Sequence, residues 1–101
     1  MKDYQAQFAK YEAFWNRENT DRCVLNFTAP KVGAAPFRKP KSLEQKWTDG
    51  DYVLDLFRHY RENTAFVAEA VPTLFTNLGP GCLSACIGGN YDFAEGTVWM
   101  D

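Results

Sequence analysis

The stretch Ala70-Val71-Pro72-Thr73-Leu74-Phe75-Thr76-Asn77-Leu78-Gly79-Pro80-Gly81 constrains this chain more than any other. An apolar, β-prone run meets one polar residue and then a Gly-Pro-Gly turn. That pattern predicts a buried strand over 71–76 that ends at Asn77. Pro72 would stand near the strand's start, where a missing N–H is tolerated. Gly79 and Gly81 let the backbone turn tightly or approach a ligand. Pro80 suits the first turn of a helix, which Cys82-Leu83-Ser84-Ala85-Cys86-Ile87 continues and Gly88-Gly89 ends. In parallel α/β proteins, ligand groups gather at the carboxyl ends of strands. Asn77 holds that place.

Length and charge narrow the choices. A chain of 101 residues is enough for one small domain, and 46% apolar residues can supply a core. The net charge of -2 argues against a nucleic-acid binder, which would carry a strongly basic face. The polar start Met1-Lys2-Asp3-Tyr4-Gln5 lacks the apolar run of a signal peptide, and no stretch approaches the ~20 apolar residues of a membrane span. The expected location is cytoplasmic. Three cysteines, an odd number, then read as reduced thiols. The last residues, Thr97-Val98-Trp99-Met100-Asp101, read as a strand cut short, so the chain is expected to be the front part of a longer protein.

Taken in order, residues 3–19 have helical spacing, with Tyr4, Phe8, Tyr11 and Phe14 or Trp15 on one stripe. A packing face is the plainer reading of that stripe and an aromatic cofactor box the sharper one. Residues 22–28 (Arg-Cys-Val-Leu-Asn-Phe-Thr) predict a buried strand, ended by Ala29-Pro30. Residues 30–41 form a Pro/Lys-rich loop. Its cations Lys31, Arg38, Lys39 and Lys41 can meet an anion or simply be solvated. Ser42 and Gln45 have capping-box spacing and start a short helix to about Trp47. Thr48 and Asp51 offer a second start, for a helix over 51–68 with Val53, Leu56, Phe57, Tyr60, Thr64 and Val67 on its apolar face. His59, the single histidine, lies beside that face and reads as a partly exposed or core-satisfied group rather than a base or ligand. Cys82 and Cys86 share a helical face. Small buried residues packing against a strand explain them more simply than a metal site, because zinc needs further ligands that only Cys23 and His59 could supply. A reactive thiol at Cys82 is the other alternative. Tyr91-Asp92-Phe93 and Thr97-Val98-Trp99-Met100 predict a hairpin through Ala94-Glu95-Gly96.

The order is helix, strand, helices, parallel strand, short helix, β-hairpin. Two strands separated by helices follow the pattern of a parallel crossover. Two parallel strands leave a sheet unfinished. The expected fold is therefore α/β, an incomplete N-terminal part of a (β/α)8 TIM barrel, whose full form takes ~250 residues.

The run Phe75-Thr76-Asn77-Leu78-Gly79-Pro80-Gly81-Cys82-Leu83-Ser84-Ala85-Cys86-Ile87-Gly88 resembles the second barrel strand and following helix of the uroporphyrinogen decarboxylase-like superfamily, which includes cobalamin-linked methyltransferases. Ala68-Glu69-Ala70-Val71-Pro72 and Gly96-Thr97-Val98-Trp99 extend the likeness. Weaker similarity reaches back through Trp47-Thr48-Asp49 and Leu25-Asn26-Phe27-Thr28-Ala29-Pro30. The resemblance covers most of this chain and the first third or so of a full-length member. It implies a substrate-pocket edge formed by Asn77, Gly79 and Gly81. In the decarboxylases an aspartate meets the substrate's pyrrole nitrogens where this chain has Asn77, and an amide carries no charge. The decarboxylases also place arginines after the first strand, where this chain reads Phe27-Thr28-Ala29-Pro30. Both departures favour a methyltransferase-type member. The resemblance assigns no cofactor, metal ligand or catalytic residue to this segment. Zinc or a corrinoid would belong to the full-length protein, and the segment alone would be inactive.

Three functions follow as expectations. The first is an enzyme segment of that superfamily acting on a small-molecule substrate. The second is a stand-alone, non-catalytic module that associates, with itself included, through open strand edges. The third is a redox or metal role for Cys82 and Cys86. No nucleic-acid or membrane partner is expected.

Overall fold

The computed structural model describes residues 3–100. The elements are α1 (Gln5–Trp15), β1 (Asn26–Pro30), α2 (Leu43–Thr48), α3 (Gly50–Asn63), β2 (Thr64–Ala68), α4 (Cys82–Cys86), β3 (Tyr91–Phe93) and β4 (Val98–Met100). They form two compact units, whose boundary within α3 falls between His59 and Tyr60. One unit runs up to Ala35 and resumes over Tyr60–Thr73; the other takes Pro36–His59 and the chain from Leu74 onward.

The parallel-strand, barrel-type fold expected from the sequence is not what this chain adopts. Its strands make two antiparallel two-stranded sheets, β1–β2 and β3–β4. A connection of helical length permits a parallel crossover but does not impose one. The ladder itself decides: Asn26 faces Ala68, Thr28 faces Phe66 and Pro30 faces Thr64. Backbone bonds from Glu69 N–H to the Leu25 carbonyl (2.9 Å) and from Lys31 N–H to the Asn63 carbonyl (2.8 Å) extend it at both ends.

The strand expected over 71–76 is also corrected. Those residues adopt no regular structure, and the second strand lies earlier, at Thr64–Ala68. The apolar spacing that extends α3 to Val67 conceals the change. Thr64, Phe66 and Val67 favour a pleated strand as readily as a helix face. Ala68 then turns left-handed, at φ 57°, which ends the strand before Pro72 is reached. Pro30, expected to follow the first strand, is its last residue, a place where a missing donor is tolerated.

Several local expectations match the structure. Ser42 Oγ accepts the Gln45 N–H at 3.1 Å and starts α2, while Gln45 Oε1 accepts the Lys41 N–H at 2.8 Å. The start of α3 falls instead on Asp49, whose Oδ1 accepts the Tyr52 N–H at 3.1 Å. Gly88, at φ 95°, follows α4. The β3–β4 hairpin pairs Tyr91 with Met100 and Phe93 with Val98.

In the first unit, several long-range bonds beyond the β1–β2 ladder meet at Glu69. Its side chain is 7% exposed. Its carboxylate accepts from Arg22 Nη1 (2.8 Å), Arg22 Nη2 (2.5 Å) and the Leu25 N–H (2.9 Å). Its backbone carbonyl accepts the Tyr11 hydroxyl of α1 at 2.9 Å. Gln7 Nε2 reaches the neighbouring Ala68 carbonyl at 3.4 Å. The aromatic stripe of α1 is not sealed: Phe8 and Phe14 are about half exposed and Trp15 is 78% exposed. In the second unit, Tyr52 is buried, with its hydroxyl donating to the Arg38 carbonyl at 3.1 Å. The α2 residue Trp47 donates from Nε1 to the Ala94 carbonyl at 2.9 Å, which holds α2 to the hairpin turn. No helix among the described residues is long and apolar enough to cross a membrane.

The Glu69 bonds make a pH prediction. Arg22 first, and then the Leu25 N–H, hold its carboxyl down to about 2 from an ordinary 4.5. A folded value below the unfolded one gives stability that is complete above pH 4.5 and is lost as pH falls toward 2. Thermal melts between those limits should show a falling midpoint. Glu69→Gln should melt several degrees lower at neutral pH. It should also show a shallower acid slope, keeping the part due to Asp21, which Lys10 holds at about 2. An unchanged slope in Glu69→Gln would assign the acid sensitivity elsewhere.

Candidate functional site

The candidate site lies in the second unit, where the 77–81 turn leads into α4. Asn77 is half-buried, and its Oδ1 accepts the Gly79 N–H at 2.6 Å. This side-chain-to-backbone bond two residues ahead is an Asx-type turn, a local reason for asparagine at this position. The other end of the amide is loosely held: Nδ2 makes a 3.4 Å contact with the Phe75 carbonyl. The side chain can therefore present N–H donors to an oxygen acceptor.

Gly79 is required by its own backbone, and a side chain at either glycine would meet the residues behind the turn. Gly79 has φ 77°, in the left-handed region. A Cβ there would lie 3.1 Å from Thr97 Oγ1 and from the backbone N and O of Val98. A Cβ on Gly81 would overlap Met100 Cγ and lie 2.7 Å from its Sδ. The turn is thus fitted against β4. The Gly79 carbonyl accepts the Cys82 N–H (3.2 Å) and the Gly81 carbonyl accepts the Ala85 N–H (3.0 Å), which carries the turn into α4. The structure brings Asn77, Gly79 and Gly81 together in one short turn, but on a loop and not at a strand end. The sequence reading did not single out Thr97, Val98 and Met100 as the wall behind them. The run Gly96-Thr97-Val98-Trp99 was the available signal.

The other candidates are placed as follows. His59 packs on the Phe37 ring, 5.1 Å between centroids, and Phe37 also meets Tyr52 at 5.6 Å. The Arg38 guanidinium lies over the Phe37 ring, 4.9 Å from its centroid, and binds Asp55 at 3.0 Å. In the loop over 30–41, two of the four cations are thereby engaged within the chain, since Lys31 Nζ donates to the Glu62 carbonyl at 2.7 Å. Lys39 and Lys41 are exposed. Cys23 and Cys86 are exposed, Cys82 is half-buried, and all three are free thiols. Among the described residues, no group of three or more His, Cys, Asp or Glu side chains is placed to hold a metal ion. Asp49, beside the start of α3, has a lowered pKa because the Tyr52 N–H and then the Gln45 amide bind its carboxylate. Those bonds are structural.

The chain matches no family model, and no curated protein and no solved structure matches it.

The two kinds of glycine constraint can be separated by mutation. Gly79→Ala should cost about 1–2 kcal/mol from the left-handed backbone alone, with a further loss from the close Val98 backbone. Gly33→Ala should cost only the conformational part, since Gly33 has φ 78° and open space around it. Denaturant melts of the pair measure the difference. Equal losses would remove the β4 wall as a constraint.

Proposed function

We propose that this chain is the substrate-pocket-edge segment of a uroporphyrinogen decarboxylase-like enzyme, of methyltransferase type rather than a porphyrinogen decarboxylase. The observation that carries the reading is the meeting of two separate stretches of the resemblance. The turn from Asn77 to Gly81 packs on Thr97, Val98 and Met100, so both stretches contribute to one local structure. The described strands are antiparallel and residues 71–76 form none, so the reading rests on this local meeting and not on the barrel architecture of that superfamily.

In this reading Asn77 and the Gly79-Pro80-Gly81 backbone contact a small-molecule substrate. Gly79 and Gly81 keep side-chain bulk out of the turn, and Asn77 donates a neutral hydrogen bond from Nδ2. A neutral amide cannot balance a cationic pyrrole intermediate as a carboxylate would, which favours methyl transfer over decarboxylation. The zinc or corrinoid of such chemistry would be held by residues outside this segment. Zinc in that role lowers a bound thiol's pKa and presents a thiolate nucleophile.

The natural coding sequence downstream of the Asp101 codon tests the chemistry. A His-x-Cys pair followed later by another Cys is the expected finding, and a sequence without such ligands overturns methyl transfer. Kinetics test the site in the natural enzyme. Asn77→Asp keeps the Oδ1 acceptor for the Gly79 N–H but removes the Nδ2 donor, and should raise KM about tenfold, the worth of one hydrogen bond. An unchanged KM removes Asn77 from the pocket.

A second reading, a non-catalytic module that associates through open strand edges, is favoured by a different observation. All five residues of β1 are exposed, and β2 is the partner strand on one side.

A further inference from the structure

The β1–β2 ladder separates the backbone groups of β1 into two sets. Leu25, Phe27, Ala29 and Lys31 turn toward β2, as the Leu25–Glu69 and Lys31–Asn63 bonds require. Asn26, Thr28 and Pro30 therefore point their backbone groups to the outer edge. The outer edge of β2 is partly occupied, because the Ala68 carbonyl receives Gln7 Nε2 from α1. On β1 the sequence Asn-Phe-Thr-Ala-Pro carries no charge, and every residue is exposed. Lysine, the usual guard of a bare edge, is absent from the strand itself. A two-stranded ribbon is marginal alone and gains from a third strand.

Resting on the module reading, we propose that β1 pairs with β1 of a second copy, antiparallel and centred on Thr28. A two-fold axis at Thr28 makes the edge complementary to itself. Thr28 N–H donates to the Thr28 carbonyl of the second copy, and the reverse bond forms at the same time. Asn26 N–H donates to the Pro30 carbonyl of the second copy, again in both directions. Pro30 lacks a donor, so four bonds form and the ladder stops at both ends. The product is a four-stranded sheet in the order β2–β1–β1–β2. Phe27 and Val67 lie opposite each other in the ladder, 58% and 50% exposed, and would join one face of that sheet.

Sedimentation equilibrium across a concentration series, with amide hydrogen exchange at high and low concentration, tests the pairing. The expected result is a monomer–dimer equilibrium in which the Thr28 amide becomes protected as dimer forms. Thr28→Pro removes the two central bonds while leaving every bond to β2. It should weaken the dimer about thirty-fold with unchanged circular dichroism. A monomer at all concentrations overturns the pairing, while the module reading then stands or falls on a different partner. A dimer in which the Thr28 amide exchanges freely overturns the pairing alone. If Thr28→Pro fails to fold, exchange at Thr28 in the unmodified chain decides.

Discussion

The bonding around Glu69 is the interaction on which the first unit depends. A buried carboxylate is costly unless its oxygens are met by donors. Here three donors meet it, two from Arg22 and one from the Leu25 backbone. Its own carbonyl receives Tyr11, so one residue ties α1, the approach to β1 and the end of β2. The sequence separations, 47 residues to Arg22 and 58 to Tyr11, show that these bonds close long loops. Apolar burial does less here. The buried hydrophobic residues among those described are Tyr52, Ala70 and Val98, and only Ala70 belongs to this unit. With so little apolar surface removed from water, directed polar bonds carry a larger share of the specificity.

Glu69 reaches its place because the backbone breaks step. In a regular strand, neighbours alternate between faces. The left-handed Ala68 interrupts that alternation, and Glu69 and Ala70 are both buried although adjacent. The same interruption explains why the apolar run beyond it does not continue the ladder. Residues 71–76 have the composition of a strand, but the pairing with the β1 side stops at the Glu69–Leu25 bond before it reaches them.

What was legible in the sequence was local. The Ser42 cap, the glycine stop after α4 and the 91–100 hairpin each depend on residues a few positions apart, and the structure has all three. What was not legible depends on distant partners. The sense of the β1–β2 pairing is set between residues some forty apart, and hydrophobic spacing carries no information about it. The end of α3 was hidden because Thr64 and Val67 fit both a helical and a strand pattern. At the candidate site the turn itself was legible from Gly79-Pro80-Gly81. Its placement on a loop, and the β4 wall behind it, were not, because Thr97 and Met100 meet the turn only in the folded chain.

The small apolar core also shapes how this chain responds to temperature and solvent. The heat-capacity rise on unfolding follows newly exposed apolar area, and so does the steepness of a denaturant transition. A chain that leaves Trp15, Phe75, Leu83, Ile87 and Trp99 each at least 67% exposed in its folded state has less of that area left to uncover. Its stability curve should be correspondingly flat, and its denaturant transition broader than its length alone would set.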